Sequence, residues 1–385
     1  MFAVTVVEPL AAQGDVPRSE PFRTGAERME HYLPLLAGKR VGVVTNATGI
    51  IGDRHLVDTL LARGVQVVKV YGPEHGFRGD ADAGELVKDG KDARTGLPLV
   101  SLYGKNKKPT AEQIADVDVL LFDIQDVGVR FYTYTGTLHY VMEAAAENGK
   151  QVIVLDRPNP NGFYMDGNIL DTAYKSFVGM HPVPIVHGMT IGEYGAMING
   201  QGWLAKGVKC TYTVIPCSGY TRSMAYDLPV RPSPNLPNTA AILLYPHICL
   251  FEGTPVSVGR GTDTPFQVVG MPGVKVGDHG FTPEPRPGAK DPPQKGKLCQ
   301  GFDLTGFDRA TATAAPGIKL QWLLTFYQAA PDKEKFFTKF FDTLAGGTAL
   351  RKAIQAGQDE ATIKAGWAKG LAEFSELRKP YLLYP

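Results

Sequence analysis

The chain has 385 residues, 43% of them hydrophobic and 21% charged, with a formal net charge of +1. At roughly 150 residues per domain that length implies two to three domains with ample core material, and the composition excludes a disordered chain. Near-neutral charge without any run of five like charges argues against nucleic-acid binding, which needs a concentrated basic footprint.

No window approaches the length of a membrane-spanning apolar helix, so no transmembrane segment is expected. Residues 1–24 read as a leader remnant or disordered start: Phe2 to Val7 is apolar, and Leu10-Ala11-Ala12-Gln13 has the small residues of a signal-peptidase site without a basic region before it. The expected location is accordingly periplasmic or extracellular. Cys210, Cys217, Cys249 and Cys299 show no metal spacing. Cys210 and Cys217 bracket a strand-like segment, and both a disulfide and two buried thiols fit that placement.

From Arg40 onward, strand and helix patterns alternate. Strands are expected over Arg40–Thr45, Val65–Val70, Leu99–Leu102, Val117–Phe122, Gln151–Leu155 and Tyr212–Ile215. Helices are expected over Leu56–Ala62, after Pro109-Thr110, over Thr137–Asn148 and over Ile191–Asn199. Strands that are continuous Val/Ile/Leu runs, separated by helices, imply a parallel sheet covered on both faces. The fold class is therefore α/β: a Rossmann-like doubly wound domain over 25–225, then a smaller α/β or α+β domain over 226–385 that closes a cleft. The boundary falls before Leu228-Pro-Val-Arg-Pro-Ser-Pro-Asn-Leu-Pro237, whose prolines preclude a central helix or strand. Gly280–Lys297 reads as an exposed loop; helices follow over Leu320–Gln328, Lys333–Phe341 and, beyond a Gly346-Gly347 break, Asp359–Leu377.

In an open parallel sheet ligands bind beyond the carboxyl ends of the strands. Those ends carry Asn46, then Glu74-His75-Gly-Phe-Arg78, then Asp123-Ile-Gln125-Asp126 with Arg130, Tyr132 and Tyr134, then Asp156-Arg157-Pro-Asn159. Across the cleft the second domain supplies Asn235, Glu252 and Arg260. So many ionisable groups beside turn-forming glycines read as a composite active site. The aromatics Tyr71, Phe77, Tyr103, Tyr132 and Tyr134 suit stacking on a sugar ring.

The turn after the first strand, Thr-Asn-Ala-Thr-Gly-Ile-Ile-Gly, is not a dinucleotide fingerprint, and no P-loop occurs, so no nucleotide cofactor is expected. Glu74, His75, Asp80 and Asp82 are close in sequence but lack zinc spacing, so no metal is expected either. Carboxylate chemistry remains. Glu74 sits in a rigid turn between Pro73 and Gly76, where partial burial would raise its pKa as a general acid requires. A salt bridge to Arg78 or Arg130 is the competing role. Asp123 and Asp126 are candidate partner carboxylates, or else orient Arg130 and cap the next helix. Asp156 either joins them or holds the Arg-Pro-Asn-Pro turn. Thr190 and Glu193 form a capping-box pattern, and His139 reads as a core histidine.

The stretches Gly72–Gly84 (Gly-Pro-Glu-His-Gly-Phe-Arg-Gly-Asp-Ala-Asp-Ala-Gly), Phe122–Tyr134, Leu155-Asp-Arg-Pro-Asn-Pro-Asn-Gly162, Pro232–Pro237, Phe251–Thr254 and Gly259–Thr262 together resemble the NamZ family of exo-β-N-acetylmuramidases. The resemblance runs from about Gly38 to the C-terminus. It implies a Rossmann-like domain followed by a smaller one, and release of N-acetylmuramic acid from the non-reducing end of peptidoglycan fragments. The glutamate of the family's Glu-His-Gly motif falls on Glu74. The substrate's lactyl carboxylate would then need a fork-shaped cation, for which Arg78, Arg130, Arg157 and Arg260 are candidates. The second catalytic group stays open among Asp123, Asp126, Asp156 and the substrate's own N-acetyl oxygen. A non-catalytic two-domain receptor for sugars or muropeptides is the alternative function, sharing the cleft and aromatics without needing a desolvated glutamate.

Overall fold

The computed structural model describes residues 20–78 and 89–385. In chain order the first region forms α1 (Met29–Leu36), β1 (Val41–Thr45), the hairpin β2 (Ile50–Ile51) and β3 (Arg54–His55), α2 (Leu56–Ala62), β4 (Val67–Gly72), β5 (Gly90–Lys91) and β6 (Pro98–Ser101). Then follow α3 (Ala111–Ile114), β7 (Val119–Asp123), α4 (Tyr134–Glu147), β8 (Gln151–Leu155), α5 (Ile191–Gly200) and β9 (Thr211–Ile215). Among the described residues the main sheet has the order β5-β6-β4-β1-β7-β8-β9, parallel except where β5 meets β6. The order turns back between β1 and β7, and the carboxyl ends of β1, β4, β7 and β8 share one edge.

The two-residue period of the strands explains both covers. Val44 of β1, Leu120 and Phe122 of β7, and Val152 and Val154 of β8 join the cluster that includes Leu138 and Val141 of α4 and Met197 of α5. Their neighbours Val41, Val43, Val119, Leu121, Ile153 and Leu155 pack on the other side, against Tyr32 and Leu36 of α1 and Leu56 and Leu60 of α2. With both faces apolar, each strand reads as an unbroken hydrophobic run.

The second region opens with α6 (Thr239–Ile248) and a three-stranded antiparallel sheet of order β10-β12-β11, built from β10 (Val268–Met271), β11 (His279–Phe281) and β12 (Cys299–Asp303). Helices α7 (Arg309–Ala314), α8 (Gln321–Ala329), α9 (Lys339–Ala345), α10 (Ala349–Gln355), α11 (Glu360–Ala365) and α12 (Ala368–Arg378) complete it. The α/β class with a smaller α+β second part is thus the observed architecture. One cluster runs from Val44 through Leu244 and Phe266 to Phe374, so both regions share core.

Several expected elements differ. The helix expected over Lys333–Phe341 begins only at Lys339, because the Thr338 N–H and hydroxyl both donate to the Gly253 carbonyl (2.9 and 3.0 Å) and fix the turn there. The long helix expected over Asp359–Leu377 is broken at Gly366, where Trp367 turns inward. The helix expected from Thr137 starts at Tyr134, and α1 and α6 form although each contains a proline. The first residues of the expected loop Gly280–Lys297 pair as β11. All four cysteines are buried free thiols. Asp80 and Asp82, the leader to Ser19 and much of the Gly72–Gly84 motif lie outside the described residues.

Six of the eight histidines are buried, and burial keeps five of them neutral. The His139 and His181 rings are 2.9 Å apart, nitrogen to nitrogen, and His181 reaches the Tyr194 hydroxyl at 3.1 Å, while His247 Nδ1 accepts from the Lys319 N–H at 3.0 Å. Burial lowers the pKa of His55, His139, His181, His187 and His247, the last two to about 3. Unfolded histidines titrate near 6.5. As pH falls from there towards 4 the unfolded chain takes up protons that the native protein refuses, and stability is lost. Burial acts oppositely on Asp126 and Asp156, raised to about 7 and about 6, whose native-state protonation favours the fold as pH falls through those values. Five groups against two leave a net loss of stability as pH falls. The urea midpoint should therefore drop between pH 6.5 and 5; a flat or rising midpoint would contradict it.

Candidate active site

A cavity of about 260 Å³ opens between the rim of the main sheet and the second region. The sheet side contributes Glu74 and His75 after β4, Tyr103 after β6, and Phe131 to Tyr134 after β7. The facing wall consists of Ser233, Leu236, Tyr245, Cys249, Glu252, Arg260 and Phe266, with Phe340 and Leu344 of α9. The interior is buried aromatic and aliphatic surface (Phe131, Tyr132, Tyr134, Leu236, Cys249, Phe266), whereas Phe340 is 44% exposed at the mouth. The volume lies just below the usual small-molecule range of about 300–1,000 Å³ and suits one sugar ring held end-on.

Glu74 is half-buried in a tight turn in which the Gly76 N–H donates to the Pro73 carbonyl at 2.9 Å. The next residue, His75, has φ +69°, a left-handed conformation that costs a non-glycine residue energy and tends to occur at functional sites. The Thr133 hydroxyl donates to Glu74 Oε2 at 2.8 Å. Tyr103 lines the same cavity, and burial first, with the charge of Glu74 second, pushes its pKa up, so this phenol stays neutral. Thr133 thus aims the carboxyl along the pocket wall.

The residues around Thr133 are fixed just as firmly. The Tyr132 and Tyr134 hydroxyls both donate to the Pro232 carbonyl, at 2.8 and 3.1 Å, tying the loop after β7 to the proline-rich segment. Asn46, at the end of β1, donates to the Tyr134 hydroxyl at 2.9 Å. Asn46 therefore supports the pocket from behind.

The three aspartates have different surroundings. Asp123 forms a buried two-pronged pair with Arg157, at 2.5 and 2.9 Å, and Arg157 also donates to the Ile50 carbonyl at 3.0 Å. That pair fills the space between the ends of β1 and β7. Asp156 accepts from the Thr190 hydroxyl (2.7 Å), the Gly192 N–H (2.8 Å) and the Tyr384 hydroxyl (2.6 Å), fastening α5 and the C-terminus to β8. Asp126 Oδ2 accepts from the Gly128 N–H at 2.7 Å, and Oδ1 is buried without a hydrogen-bond partner. None of the three lines the cavity.

Among the described lining residues Arg260 is the one guanidinium. Its Nε donates to Glu252 at 2.7 Å, and its plane lies over Phe266, 4.9 Å from the ring centre. Arg78 stacks on Phe77 and pairs with Asp92 and Asp58. Arg130 is buried among backbone carbonyls. Arg157 and Arg78 thus already hold carboxylates elsewhere, and Arg130 does not line the cavity. Gln125 donates to the Asp126 and Pro158 carbonyls, Asn159 to that of Met189, and Asn235 to that of Gly288, so these amides brace loops around the site. Glu193 caps α5 with Thr190 and also binds Arg222.

Two family models match the chain: exo-β-N-acetylmuramidase NamZ, N-terminal, over residues 41–240, and exo-β-N-acetylmuramidase NamZ, C-terminal, over 243–384. The chain belongs to the NamZ family. A NamZ relative, the peptidoglycan β-N-acetylmuramidase of Bacillus subtilis (strain 168), is 40% identical over 378 residues, covering 92% of this chain and 89% of the relative. The crystal structure of a DUF1343 family protein from Bacteroides fragilis is 46% identical and superposes with a TM-score of 0.88, over 95% of this chain and 99% of that one. A second such protein from the same organism is 31% identical, with a TM-score of 0.80, over 94% and 99% of the respective chains. The NamZ fold accordingly extends over nearly the whole chain.

Sequence reasoning did not assign roles to Thr133, Tyr245, Cys249, Phe266 or Phe340. Phe340 carried a usable signal, because adjacent Phe340 and Phe341 cannot both face the core of one helix. Phe266 carried none, since its φ of +56° arises from the loop around it. The burial of Asp123 with Arg157 gives a stability prediction. Arg157→Ala should cost about 3–5 kcal/mol by stranding a buried carboxylate, and Asp123→Leu/Arg157→Met should recover part of it. Thermal unfolding of the three variants checks this; an unchanged Tm for Arg157→Ala would refute it.

Proposed function

We propose that this NamZ-family chain is a cofactor-independent exo-β-N-acetylmuramidase that releases N-acetylmuramic acid from the non-reducing end of peptidoglycan fragments, with Glu74 as general acid. The carrying observation is the Glu74 carboxyl, aimed by Thr133 along the wall of a cavity sized for one sugar. A pocket of that size has room for a single terminal sugar. In this reading Glu74 gives its proton to the glycosidic oxygen as the bond to the anomeric carbon breaks. Asp123, Asp126 and Asp156 all lie outside the cavity lining, which leaves the substrate's N-acetyl oxygen for the second role. Such fragments arise at the cell wall, and together with the small residues before Gln13 this supports a periplasmic or extracellular location.

Arg260 is the cation we assign to the lactyl carboxylate. Glu252 fixes its Nε edge and Phe266 its plane, so the rest of the fork is presented to the cavity in a set direction. Arg260→Met should therefore reduce kcat/KM for muramic over glucosamine substrates by tenfold or more, on the order of 2–5 kcal/mol for a desolvated charge pair. Parallel assays with β-N-acetylmuramides and β-N-acetylglucosaminides read this; unchanged selectivity would remove Arg260 from the role.

Removing the acid makes the sharpest test of the reading. Glu74→Gln keeps the shape and deletes the proton, so turnover of a natural disaccharide should fall by roughly 10²–10⁴. Near wild-type turnover would assign the acid elsewhere.

A further inference from the structure

Helix α9 forms the mouth of the cavity and is anchored at both ends. At its start Thr338 bonds the Gly253 carbonyl, next to the pocket residue Glu252. A Cβ at Gly253 would lie 2.4 Å from the backbone of Phe341, so only glycine permits this approach. At its end the Leu344 and Ala345 carbonyls accept from Arg130 Nη2, at 3.2 and 2.8 Å. Arg130 Nη1 donates to the Asn168 and Val183 carbonyls at 2.7 and 2.8 Å. A buried cation at a helix C-terminus satisfies carbonyls the helix cannot, and it is attracted by the negative end of the helix dipole. Gly346, at φ +71°, closes the helix where a Cβ would sit 2.8 Å from that guanidinium.

So rigid a helix presents Phe340 to solvent at the cavity mouth. Phe340 also lines the cavity, so its exposed ring lies where a ligand leaving the pocket would pass. Phe177, another ring of the lining, is stacked on Tyr140 and covered by Lys107. Phe340 makes no ring contact among the described residues.

We propose that Phe340 is the platform for the sugar on the leaving side of the cleaved bond, a 4-linked N-acetylhexosamine, and that Arg130 is a positioning residue that holds it there. The proposal rests on the exo-muramidase reading: when the cavity holds one terminal sugar, the next ring emerges at the mouth. The less polar face of a pyranose ring meets an aromatic face there, and Phe340 needs only to stay in place.

The experiment compares two substrates in the intact protein: a muramic acid–glucosamine disaccharide, and β-N-acetylmuramyl fluoride, whose leaving group is a single atom. Phe340→Ala should lower kcat/KM for the disaccharide about tenfold, chiefly through KM, and leave the fluoride within about twofold. Arg130→Lys should shift the same ratio in the same direction, and in a Phe340→Ala background it should add nothing further to it. Equal effects on both substrates, or none on either, would overturn the proposal. If the wild-type protein cleaved neither substrate, the muramidase reading itself would fail, an outcome distinct from a normal ratio. Phe340 is exposed, so its variant tests the platform even if Arg130→Lys does not fold.

Discussion

Buried hydrogen-bond donors that have to find acceptors set the shape of the pocket. Between β7 and α4, Arg130, Tyr132, Thr133 and Tyr134 bring a guanidinium and three hydroxyls into a water-poor seam, where an unmade hydrogen bond costs about 1–3 kcal/mol. Each finds an acceptor on a different element: α9 for Arg130, the proline-rich segment for the tyrosines, Glu74 for Thr133. One short stretch thereby fixes three walls of the cavity relative to one another. Arg130 keeps its charge without a carboxylate among its bonds, and burial lowers its pKa to about 9, so it remains a cation at neutral pH.

Between β1 and β7, where doubly wound sheets ordinarily receive a ligand, this chain places the Asp123–Arg157 pair. The candidate site is displaced towards the β4 and β6 side of the rim, under the second region. That displacement explains why polar residues at all four strand ends do not converge. Glu74 and His75 after β4 and Tyr132 to Tyr134 after β7 reach the cavity, while Asp123, Asp156 and Arg157 hold the sheet edge together.

Continuous Val/Ile/Leu runs alternating with helical patterns made the parallel sheet legible, and Gln151–Leu155 and Leu56–Ala62 form as the spacing predicts. The three-stranded sheet was not legible, because Val268–Met271 and Cys299–Asp303 are short, contain glycine and pair across some thirty residues of chain. Glu74 stood out from its Pro-Glu-His-Gly turn, as did the cleft partners Glu252 and Arg260. Which arginine faces the cavity could not be read from sequence, since Arg78, Arg130, Arg157 and Arg260 all stand close to a glycine or proline in sequence. Only three-dimensional pairing separates one near a half-open wall from those bound to aspartates or carbonyls.

The central claim, that Glu74 protonates the leaving oxygen, is tested most directly by a leaving-group series. Hydrolysis of aryl β-N-acetylmuramides would be measured with wild type and Glu74→Gln as the phenol pKa increases. An acid matters most to the poorest leaving groups, so the deficit of the variant should widen steadily with phenol pKa while the wild type changes little. A deficit of constant size along the series would contradict the assignment and mark Glu74 as a binding residue.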